Sequence, residues 1–322
     1  MKRSSSIVRI SRLVQKLPLK IFRILELPFF ILSKKDSDKF PAIFLFALPR
    51  SGSTLTYQTI NHGLNVIYLS NVWHFFYQLP LLGGVISNWF SSSYYSDFKS
   101  EQGFVSGING PAEGVRFWTY WLNNGLSDDA SEILNYSKFK KRVKYLRSVL
   151  KLIVYRDKPF VTAYLGHTLV PDRVAQEFPG AVLIRLKREP VSNALSILKS
   201  LRANNVSWFS IKPKECTGLK DVTEFDKVAS QVYWLNKRLD KAICKEDMLV
   251  IHYEDLCNNP AKELSRIKHW CHEKGIPVER KFDLPPEFSL SIRSEEDDRD
   301  AKKIREALDV LEAKHGKLGG SD

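Results

Sequence analysis

Residues 42–47 read Ala-Ile-Phe-Leu-Phe-Ala, a run with no polar side chain in it. A strand with one face in water alternates apolar and polar residues. A short unbroken apolar run instead predicts a strand buried on both faces, as in a parallel sheet covered by helices. The run ends at Leu48-Pro49, turns through Gly52, and passes at Thr54 into a segment predicted helical to His62, with Gly63 placed to cap it. Further runs at 159–163, 181–186 and 248–252 alternate with helical segments at 170–178, 190–202, 224–245 and 260–274. That alternation predicts an α/β fold: a P-loop-like parallel sheet flanked by helices. A chain of 322 residues can bury one large core, so a single domain is expected, spanning 41–285.

Between these elements the reading is coarser. Residues 66–69 suit a second strand. Residues 71–90 are aromatic-rich and expected mostly helical, with Pro80 and Gly83-Gly84 as breakers. Residues 94–110, full of Ser, Gly and Tyr, read as a loop or lid. Pro111 opens an expected helix to Trp121, and 128–152 reads as another with basic residues along it. The charged segment 286–322 is expected to be a tail with a peripheral helix over 297–315.

The net charge of +13 has a local source. Residues 1–40 hold ten basic residues against Glu26, Asp36 and Asp38. Ile7, Ile10, Val14, Leu17, Ile21 and Ile24 recur at helical spacing, with Arg9, Arg12, Lys16, Lys20 and Arg23 around them. This basic amphipathic arm can lie on an anionic membrane through residues 1–32, pack on the domain, or serve as a targeting segment. It is too short and too interrupted, by Glu26 and Pro28, to span a bilayer. Charge concentrated in one arm argues against nucleic acid as a partner. Four separated cysteines without CxxC spacing predict reduced thiols, a cytoplasmic location and no zinc.

The turn after the first strand has the composition of an anion cradle. A helix N-terminus presents unpaired N–H groups and the positive end of a dipole. Ser51, Ser53 and Thr54 add hydroxyls, Gly52 lets the backbone turn, and Arg50 adds a bidentate cation. It is not a Walker A loop, because no lysine follows the glycine. A second site is expected where the strand 181–186 runs into Lys187-Arg188-Glu189-Pro190. There Arg188, with Ser196 about two helical turns further on, could hold another phosphate. The competing reading pairs Arg188 with a carboxylate.

Leu48-Pro49-Arg50-Ser51-Gly52-Ser53-Thr54-Leu55 resembles the 5′-phosphosulfate loop of sulfotransferases. Ile184-Arg185-Leu186-Lys187-Arg188-Glu189-Pro190, with Asn193-Ala194-Leu195-Ser196, resembles their 3′-phosphate motif. Val250-Ile251-His252-Tyr253-Glu254-Asp255-Leu256, followed by Asn259-Pro260, is similar to a late strand-and-helix element of that family. The motif style is that of bacterial members. The resemblance implies 3′-phosphoadenylyl sulfate (PAPS) as co-substrate, a hydroxyl acceptor and no metal. Arg50 would contact the sulfuryl group, Ser51 to Thr54 the 5′-phosphate, and Arg188 with Ser196 the 3′-phosphate.

The general base departs from the family pattern. Cytosolic members place a histidine where this chain has Val161-Thr162-Ala163-Tyr164, and His167 lies three residues later. Other branches place a glutamate where Asn71-Val72-Trp73-His74 stands, which makes His74 a candidate. Glu113, in Gly110-Pro111-Ala112-Glu113-Gly114, is the third, with a helix first-turn glutamate as its competing reading. The expected activity is sulfuryl transfer to a glycan or glycolipid, on a membrane surface if the arm binds one. The alternatives are a P-loop nucleoside-triphosphate enzyme of kinase type, or a membrane-associated nucleotide-binding protein that has lost its base.

Overall fold

Ala42–Phe46 forms β1, and every one of its side chains is buried. In the computed structural model the described residues are 23–26, 28, 40–91, 94–101, 103–122, 136–154, 158–220, 222–290 and 295–319. The N-terminal arm therefore lies outside them, except for a 3₁₀ turn over Arg23–Glu26 and the single residues Pro28 and Phe40.

Four strands pair with β1 into one sheet: β2 (Ile67–Tyr68), β3 (Phe160–Thr162), β4 (Val182–Lys187) and β5 (Met248–His252). Their order is β2-β3-β1-β4-β5, and every pairing is parallel. Phe44 lies opposite Thr162 on one side and Leu183 on the other. The chain leaves β1 toward β2 and β3, then returns to the far side of β1 for β4. The topological switch point thus falls between the carboxyl ends of β1 and β4, where open α/β sheets bind ligands.

The helices are α1 (Ser53–Gly63), α2 (Pro80–Ser91), α3 (Val115–Leu122), α4 (Tyr136–Ile153), α5 (Pro171–Glu177), α6 (Pro190–Asn204), α7 (Glu224–Lys241), α8 (Tyr253–Asn258), α9 (Pro260–Glu273) and α10 (Glu295–His315). The buried apolar residues of both faces of the sheet join one core. The α/β architecture expected from the apolar runs is the one observed.

Several local expectations change. Gly63 is the last residue of α1, not a left-handed cap. A Cβ there would meet Leu264 of α9 at 2.3 Å, so glycine serves close packing. Pro80 starts α2 instead of breaking it, with a 3₁₀ turn over Trp73–Phe76 before it. Gly83 and Gly84 lie inside α2, against Trp73, and Gly84 also meets Ile153 of α4. The helix expected from Pro111 begins only at Val115, because Gly114 has a left-handed φ of 71°. The helix expected to reach 245 ends at Lys241. The helix expected from 128 is described from Tyr136 onward.

The helix expected to be peripheral, α10, packs against α6 and α7. Ala301, Ile304 and Leu308 are buried, Lys199 pairs with Asp297 at 2.8 Å, and Arg202 with Asp300 at 2.5 Å. The four cysteines are free. Among the described residues, no helix is long and apolar enough to cross a membrane.

Candidate active site

The turn from β1 into α1 is held from within. Ser51 donates from its backbone N–H and its hydroxyl to Leu48 O, at 3.2 and 2.8 Å. Asn193 Nδ2 on α6 donates to Pro49 O at 2.7 Å. Arg50 and Gly52 both take left-handed φ values, 59° and 97°. Gly52 is the N-cap of α1 and offers no side-chain cap. The N–H groups of the first turn, at Ser53 and Thr54, therefore stand outside the helical ladder and keep their capacity for an anion.

Arg188 and Tyr253 close the loop from the side of β4 and β5. Arg188 Nη1 donates to Arg50 O at 2.7 Å, and its guanidinium carbon sits 4.6 Å from the Tyr253 ring centroid. A Cβ on Gly52 would lie 2.2 Å from Cδ2 of that same ring, so only glycine fits. Burial and the neighbouring Arg188 hold the Arg50 guanidinium below its usual pKa. The Nε atoms of both arginines are buried without a hydrogen-bond partner. Among the described residues, neither guanidinium pairs with a carboxylate, so the competing reading of Arg188 is not observed.

The nearest acid in sequence is engaged elsewhere. The Glu189 carboxylate caps α6, accepting from Val191 N at 3.0 Å and Ser192 N at 2.6 Å. An anion beside Arg188 must therefore rely on side chains instead of that helix's N–H groups. Ser196 lies half-buried within α6.

Glu113 comes close to the loop by a different route. Ala112 N donates to Leu69 O at 2.7 Å, and Pro111 bridges Ser70, so this segment runs along the end of β2. A Cβ on Gly114 would meet Leu69 at 2.4 Å, which together with its positive φ delays α3. Glu113 is consequently not a first-turn helix residue. It lines a small cavity with Ser53, Thr54, Tyr57, Gly103, Pro111 and Ala163. Burial pushes its carboxyl up to about 7.

The loop over 94–110 covers this cavity through Gly103. Ser96 Oγ donates to Gln58 Oε1 of α1 at 2.7 Å, and Asn71 Nδ2 donates to Val105 O and Gly107 O at 2.7 Å each. The expected lid is thus tied down at both ends.

The two histidine candidates stand apart from that cavity. His74 is half-buried beside Phe75, and burial with Arg116 nearby lowers its pKa. His167 is fully buried among Phe44, Trp118 and Tyr164, its ring centroid 4.6–5.2 Å from theirs. That enclosure removes His167 as an acceptor-facing base. No cluster of metal-ligating side chains occurs among the described residues.

A model of the sulfotransferase family covers residues 41–278. The chain belongs to the sulfotransferase family. Among solved structures it is similar to the sulfotransferase STF9 from Mycobacterium avium, at 13% identity and a TM-score of 0.47, covering 94% of this chain and 74% of that one. It is also similar to a sulfotransferase from Alicyclobacillus acidocaldarius, at 16% identity and a TM-score of 0.38, covering 85% and 94%. The sulfotransferase domain from the curacin biosynthetic pathway aligns at 18% identity and a TM-score of 0.37, covering 73% and 75%. A search of curated proteins finds no match.

In this sulfotransferase the structure brings together Arg50, Ser51, Gly52, Ser53, Thr54, Arg188 and Glu113, and leaves His74 and His167 outside. The sequence alone assigns no role to Tyr253, although it lies in the late strand-and-helix element at 250–256. Its signal is a Gly–aromatic contact across elements, which no local pattern carries. Asn193 is similar: its amide holds the loop through Pro49 O, a long-range bond.

Proposed function

We propose that this sulfotransferase takes a sulfuryl group from PAPS and passes it to a hydroxyl of a glycan or glycolipid. The observation that carries the donor reading is the guanidinium pair. Arg50 and Arg188 sit side by side, each with a buried Nε lacking a partner, over a loop that only glycine can form. Orphaned buried donors are costly unless a ligand supplies the acceptor, and a two-phosphate nucleotide supplies several.

In this reading Arg50, the N–H groups of Gly52, Ser53 and Thr54, and the hydroxyls of Ser53 and Thr54 hold the 5′-phosphosulfate, while Ser51, whose N–H and hydroxyl both donate to Leu48 O, shapes the loop. Arg188 and Ser196 take the 3′-phosphate. The S–O bond to the bridging oxygen breaks, and its electron pair leaves with the 5′-phosphate. A new S–O bond forms to the acceptor oxygen, whose proton passes to Glu113. A carboxyl held near 7 is well matched to that proton. No metal takes part in this scheme. The basic arm favours a lipid-linked acceptor, and the four free cysteines favour the cytoplasm.

The test is thermal-shift titration with adenosine 3′,5′-bisphosphate against ATP plus magnesium, followed by transfer of labelled sulfate from PAPS to a glycan and glycolipid panel. Selective stabilisation by the bisphosphate is expected. A response to ATP–magnesium alone would return the kinase-like alternative, and binding without any transfer would return the inactive binding protein.

A further inference from the structure

The surface formed by α2 and α4 carries a feature that sulfuryl transfer does not use. Along α2, Leu82, Val85 and Trp89 stand on one face at helical spacing, and they are 43%, 53% and 79% exposed. The opposite side of α2, through Gly83 and Gly84, is pressed against Trp73 and Ile153. The helix has no charged residue at all. Its neighbour α4 is the reverse: Lys138, Lys140, Lys141, Arg142, Lys144, Arg147 and Lys151 are basic, and none of its residues is acidic. Arg142 stacks over Tyr120 and Arg147 donates to Glu177 O, whereas the side chains of Lys140, Lys141 and Lys144 are exposed.

The 3₁₀ turn Arg23–Glu26 reaches these two helices. Glu26 accepts from Leu82 N at 3.0 Å through Oε1 and from Tyr145 Oη at 2.8 Å through Oε2, joining that turn to both helices. Ile24, the last apolar residue of the arm's periodic series and two positions before Glu26, is 63% exposed. Three segments distant in sequence thus converge at the buried Glu26 carboxylate.

We propose that the α2–α4 surface docks this protein onto a membrane rich in anionic lipid. An exposed tryptophan among aliphatic residues suits the headgroup boundary, and exposed lysines on an adjoining helix that has no acidic residue suit a negative surface. A protein partner of matching shape would give less reason for a cation-only helix beside an uncharged one. The inference does not depend on the donor or acceptor, because docking is measured without turnover.

The experiment is co-sedimentation of the full chain with phosphatidylcholine vesicles, with and without about one-third phosphatidylserine. Partition onto the anionic vesicles only, weakened by added salt, is expected. Lys141→Gln and Lys144→Gln each lower the partition about fivefold. The Val85→Ser/Trp89→Ser variant lowers it about tenfold or more. Thermal midpoints of these variants, at exposed positions, stay near that of the parent and exclude misfolding. Unchanged partition in these variants overturns the proposal, because the arm alone would then account for binding. So does failure of the full chain to partition, or a dimer in sedimentation equilibrium that Trp89→Ser dissociates.

Discussion

Arg188 donates from Nη1 to the carbonyl oxygen of Arg50 at 2.7 Å, although 138 positions separate them in the chain. The bond ties the turn after β1 to the end of β4, so the two arginines form one unit. Its geometry depends on the left-handed φ of Arg50, which is part of the turn that Asn193 and Ser51 brace. Loop shape and cation placement are therefore coupled.

That coupling makes Arg188→Lys a severe change. A lysine keeps the charge but cannot both hold Arg50 O and offer a fork to a phosphate while lying flat on Tyr253. Affinity for adenosine 3′,5′-bisphosphate should fall about 10–100-fold in calorimetric titration, the worth of a lost charge-assisted bond. Affinity equal to the parent's would show that Arg188 only braces the loop.

Gly52→Ala tests the loop itself. The new methyl group meets Tyr253 at 2.2 Å and must adopt a φ of 97°. The backbone term alone costs about 1–2 kcal/mol. Adding Tyr253→Ala relieves the contact but not the φ, so the double variant should recover only part of the lost stability in denaturant unfolding. Full recovery would mean that the left-handed turn carries no strain.

Glu113→Gln separates chemistry from binding. Turnover should fall about 10²-fold or more, while stabilisation by the bisphosphate persists. The parent's rate should rise with pH through about 7, as the carboxyl loses its proton. Stability has the opposite sign. The folded value near 7 exceeds the unfolded one, so stability is fullest below about 4.5 and declines as pH rises through 7. Glutamine removes that penalty and should stabilise the protein by about 1–3 kcal/mol at pH 8. A variant that loses bisphosphate binding would give Glu113 a structural role.

The parts legible in sequence were those whose cause is local. β1 was readable because burial on both faces leaves an unbroken apolar run, and the turn after it because Pro49 and Gly52 interrupt that run before the helix begins. Gly63, Gly83 and Gly84 were misread because a cap, a breaker and a close helix contact all call for glycine. Only the partner across the contact decides between them: Leu264 for Gly63, Trp73 for Gly83, and Trp73 with Ile153 for Gly84. The start of α3 was misplaced because Pro111 signals a helix, whereas the obligatory positive φ of Gly114 vetoes one until Val115. That same correction is what sets Glu113 beside Ser53 and Thr54. The bond from Arg188 to Arg50 depends on β1 and β4 being neighbours, which the run of strands did not order.

His167 illustrates the remaining gap, since nothing local distinguishes a core histidine from a catalytic one. Its ring is enclosed by Phe44, Trp118 and Tyr164, and neither nitrogen has a hydrogen-bond partner. Burial alone drives its pKa down to about 3. The unfolded chain takes up a proton near pH 6.5 that the folded chain refuses. His167 thus leaves stability untouched above that value and erodes it as pH falls from 6.5 toward 3. His167→Phe fills a similar volume with no polar atom to desolvate. It should hold or raise stability by about 1 kcal/mol at pH 7 and flatten the loss between pH 6.5 and 4, measured by urea unfolding. Transfer activity should survive the change. An inactive but well-folded His167→Phe protein would reinstate the ring as part of the reaction.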